Sequence, residues 1–393
     1  MKMHTLGGRM AAVFFMAAIM VMPAVGADKV VAKSGSDVSL KLEVENAIGK
    51  GLTWLATKQK PEGYWGQQEY PAMTALALTG FQGDQSGFSK RKYEQATAKG
   101  YDYLLKCVKP DGGIYGKDLT NYNTSISMMA LLVANRPEYQ PVIKNARKFI
   151  IGLQDDYGEK GMGDDPLDGG IGYGGTYKHS DLANTTFALE ALHYSRYLKS
   201  DVAGDAETKD LNWKAAIQFI SRTQNLPGSN DQKWASDDPD NKGGFVYFPE
   251  DSKAGEVKLP DGKAALRSYG SMSYAGLLSY IYAQLDRNDP RVKAVYDWLS
   301  RHYTLDENPG MGKDGLYYYY HTMAKALSIY GVDNLTLKEG KSVNWRKDLA
   351  KKLLALQNSD GSWVNANGRW WEKDPVLVSS YAVITLEIIS RGL

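Results

Sequence analysis

Cysteine is nearly missing from this chain: Cys107 is the only one in 393 residues, so no internal disulfide can form. Charge of either sign is barely in excess. Lys and Arg total 47 against 45 Asp and Glu, a net of +2, and no basic stripe marks a nucleic-acid partner. Beyond the first residues there is no apolar run long enough to span a bilayer. The Gly-rich turns lack the Lys-Ser/Thr signature of a phosphate loop, and no Gly-x-Ser-x-Gly elbow is present. Strand-like alternation is also scarce; only Val246–Phe248 reads as a short strand.

The start of the chain has a pattern of its own. Lys2 and Arg9 precede an apolar stretch, Met10–Met22, which is short for a membrane span. The small residues Val25 and Ala27 stand just before Asp28. This order predicts a secretory signal over residues 1–27, with an uncleaved anchor as the alternative. The mature chain is then exported, periplasmic or extracellular. No cysteine stands at the cleavage site, which argues against a lipoprotein. Residues 28–41 are polar and read as a flexible arm. A domain over 42–391 is large enough to hold a core without disulfides.

Gly (40), Tyr (26) and Trp (9) are plentiful, and they recur together. Gln357-Asn358-Ser359-Asp360-Gly361-Ser362-Trp363 joins two helical runs. Related turns stand at Gln59 with Gly63-Tyr64-Trp65, at Asp111 with Gly112-Gly113-Ile114, and at Gln154 with Gly169-Gly170-Ile171. Two more stand at Gln224 with Gly243-Gly244-Phe245 and at Asp314-Gly315-Leu316-Tyr317. A Gly-aromatic turn repeated along the chain points to a repeat architecture. Before each turn lies a helix with one apolar stripe and one charged face, suited to an outer wall. After each turn lies a helix that is apolar or small all round, as in Met128–Ala134 and Ala183–Leu192. The alternation predicts an all-α fold, an (α/α)6 toroid with inner and outer helix rings around a central cavity. The longest loops, 155–178 and 225–263, should cover one end. Thr74, Thr124, Thr185, Ser271, Thr322 and Ser379 sit near inner-helix starts, either as caps and packing or as hydroxyls ringing one mouth.

The Gln-x3-Gly-x-Trp turn resembles the repeat of squalene-hopene and oxidosqualene cyclases, and protein prenyltransferase β subunits have a related toroid. The resemblance covers nearly all of 42–391 and implies architecture. In that family the Gln and Trp tie neighbouring helices together. Squalene-hopene cyclases protonate an alkene with the middle Asp of Asp-x-Asp-Asp-Thr-Ala. The matching stretch here is Asp181-Leu182-Ala183-Asn184-Thr185-Thr186. Asp181 and Thr185 fit, but Ala183 stands at the proton donor and Asn184 replaces its neighbour. Prenyltransferases hold zinc with Asp, Cys and His. Tyr320-His321-Thr322 is similar to the His segment, yet Tyr269-Gly270-Ser271-Met272 stands where Asp-x-Cys is expected, so no metal or cofactor is implied.

Toroids of this kind also host glycan hydrolases and lyases, which need two facing carboxylates. Carboxylates near inner-helix starts are Glu69, Asp118, Asp181 and Asp374. Tyr173, Tyr177, Tyr269 and the run Tyr317-Tyr318-Tyr319-Tyr320 are stacking candidates for a sugar or an isoprenoid chain, with Asn184 and His321 as further cavity candidates. Asp237–Asn241 is acidic but lacks the spacing of a calcium loop. Three readings follow: an isoprenoid-binding relative of terpenoid cyclases without the proton donor, a glycan-active enzyme, and a scaffold whose cavity is filled by its own side chains.

Overall fold

The computed structural model describes residues 35–393 apart from 85–86, 159, 162, 199–209 and 261. The signal segment 1–27 and residues 28–34 lie outside the described residues. Helix α1 (Gly35–Lys58) and α2 (Pro71–Gly83) form the first hairpin. A short α3 (Phe88–Lys92) precedes α4 (Glu94–Lys106), which pairs with α5 (Thr120–Ala134). Then come α6 (Gln140–Ile151) with α7 (Leu182–Tyr194), and α8 (Trp213–Arg222) with α9 (Gly270–Tyr282). Two further pairs, α10 (Pro290–Arg301) with α11 (Leu316–Tyr330) and α12 (Trp345–Leu356) with α13 (Pro375–Ser390), complete the chain.

The second helices of the pairs pack in the cyclic order α2–α5–α7–α9–α11–α13 and back to α2, while α1 packs on α12 and α13. The chain is therefore a closed all-α toroid. Outer helices are amphipathic: α8 buries Ala215, Ala216, Phe219 and Ile220 on one side. Inner helices are buried almost throughout; every residue of α13 from Val376 to Ser390 is buried. Some of their hydroxyls are satisfied within the helix, as where Ser380 Oγ donates to the Val376 carbonyl at 2.8 Å and Thr385 Oγ1 to Tyr381 at 2.7 Å.

The repeated turn is the device that spaces the repeats. The Gln59 amide donates to the Gly63 carbonyl in its own turn (2.9 Å) and to Ala96 on the next outer helix (2.8 Å). Gln154 does the same to Gly169 and Asn212, and Gln224 to Gly243 and Arg291. Gln357 donates to Gly361 and to Ala47 of α1, so the same staple that links successive repeats also joins the last to the first. The turn glycine has to be glycine. Gly361 has φ +94°, and a Cβ there would lie 2.6 Å from the Lys50 carbonyl oxygen. In the second repeat Val108 occupies the amide position, and that turn has no such staple.

Inner-helix hydroxyls complete the joint. Trp65 N–H donates to Thr74 Oγ1, Ile114 to Thr124, Ile171 to Thr185, Phe245 to Ser273 and Trp363 to Ser379, at 2.9–3.0 Å. The reading of a hydroxyl ring at the mouth is corrected for Thr74, Thr124, Thr185 and Ser379, which pin the turns. In the fourth repeat the pin is Ser273 rather than Ser271.

Two further expectations change. The arm read over 28–41 is helical from Gly35, and Leu40 is part of the core. Its polar look is the outward face of α1. Val246–Phe248 is not a strand, but among the described residues there are three short antiparallel hairpins: β1 (Gly172–Gly174) with β2 (Tyr177–Ser180), β3 (Glu256–Lys258) with β4 (Ala264–Leu266), and β5 (Asn334–Thr336) with β6 (Ser342–Asn344). Strands of three or four residues are too short to show alternation.

Candidate functional site

The N-terminal ends of the inner helices converge on a cavity of about 530 Å³. Its wall follows from the turn joint. The residue two before each pinned hydroxyl faces inward at Tyr122 on α5, Ala183 on α7, Ser271 on α9 and Leu377 on α13. On α11, Tyr318 lines the cavity. One turn further on, Phe187 and Tyr381 line it as well.

Loops finish the mouth. The β1–β2 hairpin brings Tyr173, Tyr177 and His179, and the loop before β3 brings Tyr247 and Lys253. The turn ahead of α13 brings Trp370, Trp371 and Glu372. Both tryptophans have left-handed backbone, φ +53° and +63°, which costs about 1–3 kcal/mol each. Three contacts hold them there. Trp371 packs on Tyr70 with ring centroids 4.5 Å apart, Arg369 lies over Trp370, and Arg369 pairs with Asp314 at 2.9 Å. Glu372 then reaches the first turn of α11 and accepts from the Tyr318 N–H at 2.8 Å and the Tyr317 N–H at 3.2 Å. Asn365 also donates to it at 2.6 Å.

Asp181 is the second buried carboxyl. It caps α7, accepting from the Asn184 backbone N–H at 2.8 Å and the Asn184 side chain at 2.7 Å. Burial raises its pKa to about 6, against hydrogen bonds from Asn184 and Tyr247 that lower it. Burial and the nearby Asp181 charge push the Tyr247 and Tyr173 phenols upward. Burial likewise raises the Glu372 carboxyl. Both carboxyls therefore spend their oxygens on helix caps and side-chain donors. Several neighbouring polar atoms, His179 Nδ1, Asn184 Oδ1 and Tyr318 Oη, are buried with no partner among the described residues.

The residues singled out from the sequence fall in three places. Tyr173 and Tyr269 line the cavity, as does Tyr177, and Asp181 and Asn184 lie behind Tyr173 and Tyr247. His321 lies beneath, with its ring 5.0 Å from that of Tyr381, and burial holds it well below the usual histidine range. Others are elsewhere. Tyr319 is buried in the wall and donates to the Thr304 carbonyl at 2.9 Å. Asp118 accepts from Leu119 and Thr176 and ties α5 to the β1–β2 turn. Asp374 caps α13, and Glu69 is exposed. Asp238, in the acidic loop, accepts from Asp240 and Asn241 within its own turn. Sequence reasoning missed Tyr122, Tyr247, Trp370, Trp371 and Glu372, and named Tyr318 only within the run of four tyrosines. Aligning the inner helices on their turn-pinning hydroxyls would have found Tyr122.

No family model matches this sequence, and no curated protein matches it. Solved structures do. MstE, a type II terpene cyclase from Scytonema, matches as a variant in complex with its substrate geranylgeranyl dihydroxybenzoate. The TM-score is 0.55 and the identity 10%, over 91% of this chain and 100% of that one. Apo MstE matches with TM-score 0.52 and 12% identity, over 90% and 99%. An inactive variant of an α-1,6-mannanase from Salegentibacter, in complex with α-1,6-mannotriose, matches with TM-score 0.54 and 11% identity, over 88% and 99%. At these identities the likeness is one of fold: the chain is a terpenoid cyclase-like toroid, an architecture it also shares with this mannanase.

Proposed function

We propose that this is an exported binding protein that holds an apolar, isoprenoid-like ligand in the central cavity and does not cyclise it. The observation that carries the reading is the wall itself. Aromatic rings and apolar side chains surround a volume inside the range of small-molecule sites, about 300–1,000 Å³. A methyl group, Ala183, faces the cavity where a cyclase of this type would place its acid. Asp181 is committed to the α7 cap. An MstE variant, of the same fold, has a structure in complex with geranylgeranyl dihydroxybenzoate, which supports an isoprenoid as the ligand class. Export rests on the signal pattern at residues 1–27.

The test is incubation of purified protein with squalene and with geranylgeranyl compounds, followed by extraction. Bound isoprenoid should be recovered unchanged. A cyclised product that disappears in Asp181→Asn would overturn the reading. Export is checked by the N-terminus of the secreted protein, expected at Asp28.

A glycan-active reading has one observation in its favour: half-exposed Trp370 and Trp371 at the mouth could stack on sugar rings, and a mannanase shares the fold. Its carboxylate pair would have to be Asp181 and Glu372, and both are occupied by helix N–H groups. Cleavage of α-1,6-mannotriose would decide for it. The scaffold reading required a filled hub, which a cavity of about 530 Å³ does not supply.

A further inference from the structure

Five of the rings that line the cavity follow one another along its wall. Between ring centroids, Tyr173 stands 6.2 Å from Tyr122, Tyr122 5.4 Å from Phe187, Phe187 6.0 Å from Tyr318, and Tyr318 6.1 Å from Tyr381. Their planes are inclined by 49–83° to one another, so the belt is a cage and not a stack. Aromatic rings are electron-rich on their faces and attract cations there. The mouth shows this attraction at work. Lys253 Nζ lies 4.8 Å from the Tyr247 ring centroid, and the Arg369 guanidinium 4.5 Å from that of Trp370. Among the described residues no Lys or Arg stands over any of the five belt rings.

The charges around the cage have the same sign. Asp181 and Glu372 are buried carboxyls. Their hydrogen-bond donors are neutral: Asn184 for Asp181, and Asn365 with the Tyr317 and Tyr318 N–H groups for Glu372. A helix N-terminus answers each with only about half a positive charge. The Asp181 charge acts on Tyr173 and Tyr318, and the Glu372 charge on Tyr381. The cations nearby are already engaged: Lys253 pairs with Asp251 at 2.5 Å, Arg369 with Asp314 at 2.9 Å and Lys325 with Glu190 at 2.5 Å. His321, against Tyr381, is kept neutral by burial. A ring cage holding no cation and two carboxyls paired with no cation call for the same ligand.

We infer that the cavity takes an organic cation, a tertiary or quaternary ammonium on an apolar body, with its charge inside the belt of Tyr122, Phe187, Tyr318 and Tyr381. A bare ammonium is tightly hydrated and would lose that shell in an aromatic cavity. An alkylated nitrogen has little hydration to lose and sets its carbon substituents against the rings. An anionic head would meet like charge in a buried site. The inference goes beyond the isoprenoid reading, which concerns the apolar body alone.

The experiment is a fluorescence titration read from Trp370 and Trp371 at the mouth, with every probe below its micelle-forming concentration. The probes are decyltrimethylammonium, N,N-dimethyldecanamide, decanoate and geranylgeraniol. The first three share a ten-carbon chain and differ in charge. The ammonium should bind at least about tenfold more tightly than the neutral amide, the scale of cation–π contacts in a desolvated site, and decanoate should bind least. Phe187→Leu keeps an apolar side chain and removes the ring between Tyr122 and Tyr318. It should weaken the ammonium about fivefold and the amide less than about twofold. Amide binding as tight as the ammonium in the wild-type protein would overturn the inference, whether or not the variant folds. A full ammonium preference in folded Phe187→Leu would overturn it too, because the charge would then sit outside the belt. Geranylgeraniol separates the two readings. Its binding without an ammonium preference removes this inference and leaves the isoprenoid reading; an ammonium preference without its binding does the reverse. Failure of all four probes would remove both.

Discussion

The two ends of the inner ring are built from the same helices and do different jobs. Along α11, Tyr318, His321 and Lys325 follow one another down the axial face; along α7, Ala183, Phe187 and Glu190 do. At the N-terminal end these faces leave a cavity walled by rings. At the C-terminal end they meet: Lys325 Nζ lies 2.5 Å from Glu190 Oε2, and Tyr282 and Tyr194 stand against Glu190. One end of a closed ring of helices can thus be kept open because the other is tied by a buried ion pair. The comparison separates stability from binding by position, and each end can be attacked alone.

The largest effect is expected at the tied end. Lys325→Met leaves Glu190 buried without its partner and should cost about 3–5 kcal/mol in denaturant unfolding. Adding Glu190→Leu should recover most of it, because the uncompensated charge is then gone. Isoprenoid affinity of the double variant should stay near wild type; a loss there as large as for a mouth variant would show that the two ends are not separable. Next comes the joint that closes the circle. Gly361→Ala forces a side chain onto φ +94° and against the Lys50 carbonyl. The expected cost is about 3 kcal/mol, read as a lower melting temperature. A neutral outcome would mean that the staple from Gln357 to Ala47 does not hold the ends together.

At the open end the expected effect depends on pH. The Asp181 carboxyl titrates at about 6 in the folded chain, against an ordinary 3.8. The folded state therefore keeps a proton that the unfolded chain gives up between about pH 4 and pH 6. Below that window the group is neutral in both states and has no effect. As pH rises through it, folding loses stability, on the order of 2–3 kcal/mol, and the loss is constant above. Asp181→Asn can still accept the Asn184 N–H at the cap and carries no charge. Its stability relative to wild type should rise by that amount between pH 4 and pH 7. Parallel stability curves for the two proteins would show that Asp181 is not desolvated.

How much of this was legible in the sequence also divides by region. The turns were legible because most of them couple, in one short stretch, an amide to bridge, a glycine at positive φ and a large apolar side chain to bury. Alternation of amphipathic and all-apolar helices gave the two rings and hence the toroid. The site was legible only in part. Tyr173 and Asp181 stand next to a recognisable motif, but Tyr318 is one of a run of four tyrosines. Only the helix phase separates it from Tyr319, which turns into the wall. Glu372 looked like a loop residue, and its target, the start of α11, is more than fifty residues away in the chain. Asp118 and Asp374 lie away from the cavity for one reason: a short acidic side chain near an inner-helix start is first of all a cap or a turn ligand.

The smallest stability effect and the sharpest separation of the two ends should come from Tyr177. It is 55% exposed, lines the mouth, and its ring lies 6.0 Å from that of Tyr173. Because so much of the ring is already in water, Tyr177→Ala should shift unfolding by less than about 0.5 kcal/mol. The same ring covers the entrance that a ligand must pass and leave. Losing it should therefore speed dissociation of a bound isoprenoid several-fold in stopped-flow measurements while association changes little. An effect on unfolding larger than the effect on dissociation would assign Tyr177 to the framework, and the division between an open binding end and a tied structural end would have to be redrawn around it.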